Sequence, residues 1–381
     1  MTAGSGPYCH LGAYSDLVGA AERTRLLFPG PRPAGDLRHD IRKLLDFSAG
    51  SGNAMDVRTD SRWEADDILG EELSWSVGYG PRTKAWLLKP AGVHGKLPAV
   101  VGLHDHGHFK FHGKEKIADG AAGDLPALHQ FRAQYYGGRA FANVLARRGY
   151  AVLVPDVFLW GSRRVPLEVM PEAERSLAEA IGATLGQDEA GKEIRAYNGA
   201  AYLNEHLIAK YCTVLGTSFA SLVAHEDRCA LGYLRARGDV DPDRIAAMGL
   251  SGGGARAALL RATSDDIRAC VIAGMMCCQS EMLSDCIAPH TWMFFPPGLS
   301  PIGDWPDLPA IAAPAPLLVQ YLNDDAQFTR SGMKAADARI RARYETTGTP
   351  NAYVGEFYPG PHRFDVQMQD AAFDWLARAL R

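Results

Sequence analysis

Arg244-Ile245-Ala246-Ala247-Met248-Gly249-Leu250-Ser251-Gly252-Gly253, followed by Gly254-Ala255-Arg256-Ala257-Ala258-Leu259-Leu260-Arg261, decides the fold of this chain. Residues 244–248 form a short apolar run of the kind that makes a buried strand, and 254–261 have the composition of a helix. Between them, Gly249 to Gly253 has the form G-x-S-x-G. A serine in that setting sits on a strained strand-to-helix turn with its hydroxyl exposed. Side chains two positions before and after it would collide with the neighbouring strand and helix, so small residues are needed there. The pentapeptide alone is a weak signal, because glycine-rich turns around serine arise by chance. Its flanks give it weight.

A serine hydroxyl is a poor nucleophile at neutral pH. It needs a neutral imidazole to take its proton and a carboxylate to orient that imidazole. When the serine stands on such a turn, the acid and then the histidine follow it in the chain. Residues 317–322 read as a strand and lead into Asn323-Asp324-Asp325. Another strand, at 352–358, leads into Pro359-Gly360-Pro361-His362-Arg363-Phe364. His362 is the one histidine downstream of His290, in a Gly/Pro turn past a strand end, where a base can reach a serine at the same sheet edge. Asp325 is favoured over Asp324 because it stands farther past its strand. Glu356, within a strand, and Asp365, as a helix cap, are weaker candidates.

Strands and helices alternate from about residue 75 onward. Strands are predicted at 83–88, 99–103, 151–154, 244–250 and 269–275, besides the two just named. Helices are predicted at 139–148, 221–237, 254–261, 334–344 and 370–380. That rhythm implies a mostly parallel sheet covered on both faces. Residues 1–74, with helical spacing at 14–27 and 37–47, read as a helical extension packed on the main domain at 75–381. Two stretches break the rhythm: 158–219, a helical insertion or lid, and 277–314, a second insertion rich in aromatic residues and proline. Loops of that length in a compact domain are often functional.

Leu103-His104-Asp105-His106-Gly107-His108-Phe109-Lys110-Phe111-His112-Gly113 follows the early strand at 99–103. A His-Gly turn there suits an oxyanion hole made of two backbone N–H groups, one from Gly252 and the other from His108 or Phe109, with His108 preferred. His104, His106, His108 and His112 also admit a metal reading, since alternate residues of an extended chain share a face. However, the segment ends a buried strand, and a serine with its acid and base leaves a metal no necessary task. No metal and no cofactor is expected. His106, Trp160 and Trp292 are the candidate substrate-contacting residues, and 291–305 a candidate apolar wall.

With these residues in place, the chain resembles the α/β-hydrolase superfamily, and within it the dienelactone hydrolase and acetyl xylan esterase-like branch, over about residues 75–381. Four stretches carry the resemblance: 103–116 (LHDHGHFKFHGKEK), Pro155-Asp156 through Gly161 to Arg163, 240–253 (VDPDRIAAMGLSGG) and 360–364. It implies the α/β-hydrolase fold, a Ser251–Asp325–His362 triad, and structural roles for Asp156 and Arg163. Dienelactone hydrolases proper have cysteine where Ser251 stands, so ordinary esters are favoured here. Acetyl xylan esterases usually carry glutamine or histidine where this chain has Gly252. The expected function is a serine hydrolase cleaving carboxylic esters of small molecules through an acyl-enzyme. The same residues could cleave an amide or a C–C bond beside a carbonyl. A non-catalytic binding protein could keep the fold, but it need not keep all three residues.

Composition narrows the remaining classes. A formal charge of -4, with no block of Lys or Arg, argues against a nucleic-acid partner. The seven cysteines form no C-x-x-C pair, and Cys277 and Cys278 are adjacent, which fits a reduced compartment. The first residues lack a basic n-region with an apolar h-region, and no apolar run reaches the roughly 18 residues of a membrane span. A cytoplasmic protein without a membrane partner is expected, and a homo-oligomer is compatible with the sequence.

Overall fold

The computed structural model describes residues 8–184, 189–284 and 286–381. Among these, a nine-stranded sheet forms the centre: β1 (Met55–Ala65), β2 (Ile68–Ser76), β3 (Thr83–Pro90), β4 (Leu97–Leu103), β5 (Ala151–Pro155), β6 (Val240–Leu250), β7 (Ala269–Ala273), β8 (Leu317–Leu322) and β9 (Tyr353–Tyr358). Their order is β1-β2-β3-β5-β4-β6-β7-β8-β9. The neighbours β1, β2, β3 and β5 pair antiparallel, and every pairing from β5 across to β9 is parallel.

Parallel strands need crossovers, and helices supply them on both faces. Side-chain alternation divides the core accordingly. Ala99, Val101 and Leu103 of β4, with Ile245 and Ala247 of β6, pack with the helices Phe219–Arg235 and Gly252–Thr263. Val100, Ala246, Met248 and Leu250 point the other way, to Phe141–Arg147 and Val366–Ala379. A strand buried on both faces has no polar alternation. That is why 244–250 reads as one apolar run.

The seven strands expected from the sequence are β3 to β9, with ends shifted by a few residues. Residues 8–74 differ from expectation. Helices are present at Leu17–Thr24 and Ala34–Leu44, but the stretch then becomes the β1–β2 hairpin at the sheet edge. β1 is exposed along almost its whole length, so it lacks the apolar alternation that marks a strand. The hairpin closes through Asp66 (φ 51°) and Asp67 (φ 60°), both left-handed as a type I′ turn requires. A further helix, Pro126–Tyr136, was also not expected.

The two insertions behave differently. In the first, Glu172–Thr184 packs on Glu189–Val214, and Met170, Ala178, Tyr197, Ala200 and Ala201 form a small core of their own. In the second, Phe294 and Trp305 are fully buried in the main core, so they are packing residues and not an exposed wall. Cys212, Cys229, Cys270, Cys277 and Cys278 are free and buried, and Cys286 is buried as well. No single described helix is long and apolar enough to cross a membrane.

Beneath the Ser251 turn lies a buried ion pair. Arg256 donates to both carboxylate oxygens of Asp227, at 2.6 and 3.0 Å, and to the carbonyl of Pro155 at the end of β5, at 3.3 Å. Both charged side chains are about 1% exposed. Removing one partner strands the other in low dielectric, a loss of about 3–5 kcal/mol. Asp227→Ala is therefore expected to lower the unfolding free energy by about that amount in urea titrations. A loss below about 1 kcal/mol would show that the pair does not brace this helix.

Candidate active site

Ser251 has φ 54° and ψ -125°, a conformation that costs a non-glycine residue about 1–3 kcal/mol. The turn is held on both sides: Ser251 N–H donates to the carbonyl of Ala273 at 2.9 Å, and Ala255 N–H donates to the carbonyl of Ser251 at 2.9 Å. Gly249 and Gly253 are there for lack of space. A Cβ at 249 would fall 2.6 Å from the Leu103 carbonyl oxygen, and one at 253 would overlap the same atom. The cause is the parallel register, which sets Leu103 opposite Gly249. The same register brings the segment after β4 against the turn. A Cβ on Gly252 would lie 2.5 Å from the amide nitrogen of His106.

The ends of β8 and β9 deliver the other two residues. His362 Nδ1 is 2.6 Å from Asp325 Oδ2, and Asp325, only 4% exposed, also accepts the Gln327 N–H at 3.0 Å. Asp324 faces outward. It accepts the Gly360 N–H at 2.8 Å and pairs with Arg330 at 2.5 Å. Those two interactions hold its carboxyl below the usual range. Asp324 thus fastens the two loops together, while Asp325 meets the imidazole. Ser251 and His362 line one cavity of about 140 Å³, together with Tyr135, Gly252, Met275 and His290. Gly274 (φ 54°) leaves room for the imidazole, since a Cβ there would stand 3.2 Å from His362 Cε1. Among the described contacts, Ser251 Oγ makes no hydrogen bond to His362.

The loop after β4 is braced from below. Asp105, 3% exposed, accepts the Tyr136 hydroxyl at 2.5 Å, and Lys116 bonds its carbonyl oxygen and stands 3.4 Å from its carboxylate. Burial pushes the Lys116 amine down to about 8. The expected second oxyanion donor is displaced. His108 (φ 50°) spends its N–H on His106 Nδ1, at 3.0 Å, within the loop itself. Among the described residues, the amides of His106, Gly107 and Gly252 donate to nothing. The His106 amide, rather than that of His108, adjoins Gly252. Burial pushes the His108 imidazole down to about 4, and its ring meets His106 edge-on with centroids 4.9 Å apart.

Glu205 is a site residue that sequence reasoning missed. It is 4% exposed and accepts from His106 Nε2 (3.0 Å), Thr291 Oγ1 (2.5 Å), Trp292 N–H (3.0 Å) and the Lys110 ammonium. Burial alone would raise its pKa, but Lys110 and His106 hold it well below the carboxylate range. The available signal was a carboxylate within the helical stripe Tyr197, Ala201, Ile208 and Cys212.

The remaining candidates separate. Trp160, 1% exposed, does not line the cavity; it packs 5.1 Å from the His106 ring and donates to the His106 carbonyl at 3.3 Å. It supports the loop from behind, because its indole is enclosed by core. Trp292 is 41% exposed, donates to His206 Nδ1 at 2.8 Å, and borders a narrow recess shared with His106, His108 and Tyr202. The histidine cluster disperses. His104 bonds the Asp105 carbonyl at 3.0 Å, His106 turns to Glu205, and His112 lies 3.8 Å from Glu115. Among the described residues, no three His, Cys, Asp or Glu side chains gather as a metal-binding group. A larger cavity of about 1060 Å³, bordered by Trp86, Phe111, Lys114 and Tyr197, contains neither Ser251 nor His362. Chemistry, not size, locates the site.

No protein-family model matches the chain. It is 24% identical over 294 residues to the "Putative hydrolase YtaP" of Bacillus subtilis strain 168, spanning 76% of this chain and 81% of that one. Its structure is similar to that of a "putative acetyl xylan esterase" from Bacteroides fragilis, with TM-score 0.66, 16% identity, and 92% and 82% of the two chains covered. It is also similar to the glucuronoyl esterase of Solibacter usitatus, with TM-score 0.61, 13% identity, and 90% and 92% coverage. An esterase of the CE15 class from a marine bacterial metagenome gives TM-score 0.59, 14% identity, and 90% and 91% coverage. The chain has the α/β-hydrolase fold.

The strain at position 251 can be measured. Glycine tolerates φ 54°, ψ -125° and alanine does not, so Ser251→Gly is expected to be more stable than Ser251→Ala by about 1 kcal/mol in denaturant titrations. Equal stability, or an advantage for alanine, would remove the strain from the account.

Proposed function

We propose that the protein is a serine hydrolase that cleaves carboxylic esters of small molecules through an acyl-enzyme. Ser251 Oγ bonds to the acyl carbon as its proton passes to His362 Nε2. The carbonyl π electrons move to oxygen, where the Gly252 and His106 N–H groups receive the charge. The tetrahedral species collapses with loss of the alcohol, which takes the proton from His362. Water, deprotonated by the same nitrogen, then releases the acid and restores Ser251. Asp325 holds the imidazole with Nε2 free and stabilises the cation that forms.

The observation that carries this reading is the 2.6 Å bond between His362 Nδ1 and Asp325, made by an imidazole that shares a cavity with the strained Ser251. The amides of Gly252 and His106, adjacent and without acceptors, support a developing oxyanion as the missing partner. A cavity of about 140 Å³ suits the acyl part of a small ester, a water occupying roughly 30 Å³ of liquid. The esterase names among structures of the same fold, and the hydrolase name of the bacterial relative, favour an ester as the bond cleaved.

The test is turnover of p-nitrophenyl acetate. Ser251→Ala and Asp325→Asn are each expected to lower kcat by about 10⁴-fold or more while the proteins stay folded. Ester turnover surviving intact in Ser251→Ala would end the assignment.

A further inference from the structure

We infer that Glu205 is a positioning residue for the oxyanion loop: its carboxylate fixes the tautomer of His106, and that tautomer fixes the loop's bend. This rests on the reading of His106 and Gly252 as oxyanion donors. A backbone N–H can only donate, so the 3.0 Å approach of His108 N–H to His106 Nδ1 requires a lone pair on Nδ1. In a neutral imidazole the proton then belongs to Nε2, and Nε2 faces Glu205 Oε2 at 3.0 Å. A carboxylate can only accept, so it selects the Nε2–H form. The other tautomer would set a proton on Nδ1 against the His108 N–H and open the turn, in which both Gly107 (φ 57°) and His108 (φ 50°) are left-handed. The His106 and Gly107 amides lie at that turn, beside the cavity.

Two surroundings keep the arrangement in one state. Burial holds the His106 imidazole below its ordinary pKa, hence neutral, and Lys110 keeps Glu205 ionised. Glu205 comes from the first insertion, whereas Thr291 and Trp292, which also bond it, come from the second. One buried carboxylate thereby ties both insertions to the loop after β4. The second insertion also borders the site directly, since His290 and Thr291 line the cavity that holds Ser251 and His362.

The test has two readouts. On wild-type protein labelled with ¹⁵N-histidine, NMR is expected to find the His106 proton on Nε2 and none on Nδ1. The Nδ1–H form would overturn the inference whether or not the protein cleaves esters. In Glu205→Leu, which leaves His106 Nε2 without its acceptor, kcat for p-nitrophenyl acetate is expected to fall about a hundredfold with KM within about twofold, as for a misplaced catalytic group. Lys110→Met combined with Glu205→Leu removes both buried charges. It serves if the single variant does not fold, with the same loss expected. A folded variant with wild-type kcat would overturn the inference while leaving Ser251 as nucleophile. If neither variant folds, the wild-type tautomer decides. Loss of ester turnover in Ser251→Ala tests the underlying reading separately.

Discussion

The contact between the carbonyl of Leu103 and the backbone of Gly249 and Gly253 is the constraint on which the site depends. Parallel pairing of β4 with β6 places Leu103 opposite Gly249, and there is no space for a Cβ on either side of Ser251. That closeness forces the serine into its strained turn. It also presses the next loop, at His106, against Gly252. The amides of His106 and Gly252, which have no acceptor among the described residues, therefore meet in the cavity of Ser251 as a consequence of strand register. β8 and β9 end at the same sheet edge, so Asp325 and His362 arrive without any special device.

Buried charges hold the loops where the register puts them. Asp105 is clamped between Tyr136 and Lys116, Glu205 among Lys110, His106 and Thr291, and Asp227 against Arg256. Each pair lies in low dielectric, where breaking one partner costs far more than a surface pair would return. In the proposed reaction these pairs hold the loop amides in place before a substrate arrives. Preorganised dipoles then need no rearrangement as charge develops in the reaction.

Much of this was legible in the sequence because the relevant signals are local. The apolar run at 244–250 and the glycines around Ser251 depend on neighbours in the chain, and Asp325 and His362 each stand just past a strand that is itself a local apolar run. The β1–β2 hairpin was not legible, because a strand exposed on both sides has no periodicity to read and its turn is Asp66-Asp67 without glycine. The choice between Asp324 and Asp325 needed the direction of each side chain, which sequence order only suggested. His108 was preferred as oxyanion donor because it follows Gly107. Its amide is consumed by an imidazole two residues back, which only a folded loop reveals. Glu205 lay further out of reach: its partners are 95 and 99 residues upstream and 86 and 87 downstream.

The central claim is that Ser251 is the nucleophile of this site. Complete reaction with a fluorophosphonate, followed by peptide mass mapping, tests it most directly. The account predicts a single covalent adduct, on Ser251, with ester turnover abolished in step with labelling. An adduct on a different residue, or turnover that persists after stoichiometric labelling of Ser251, would contradict it.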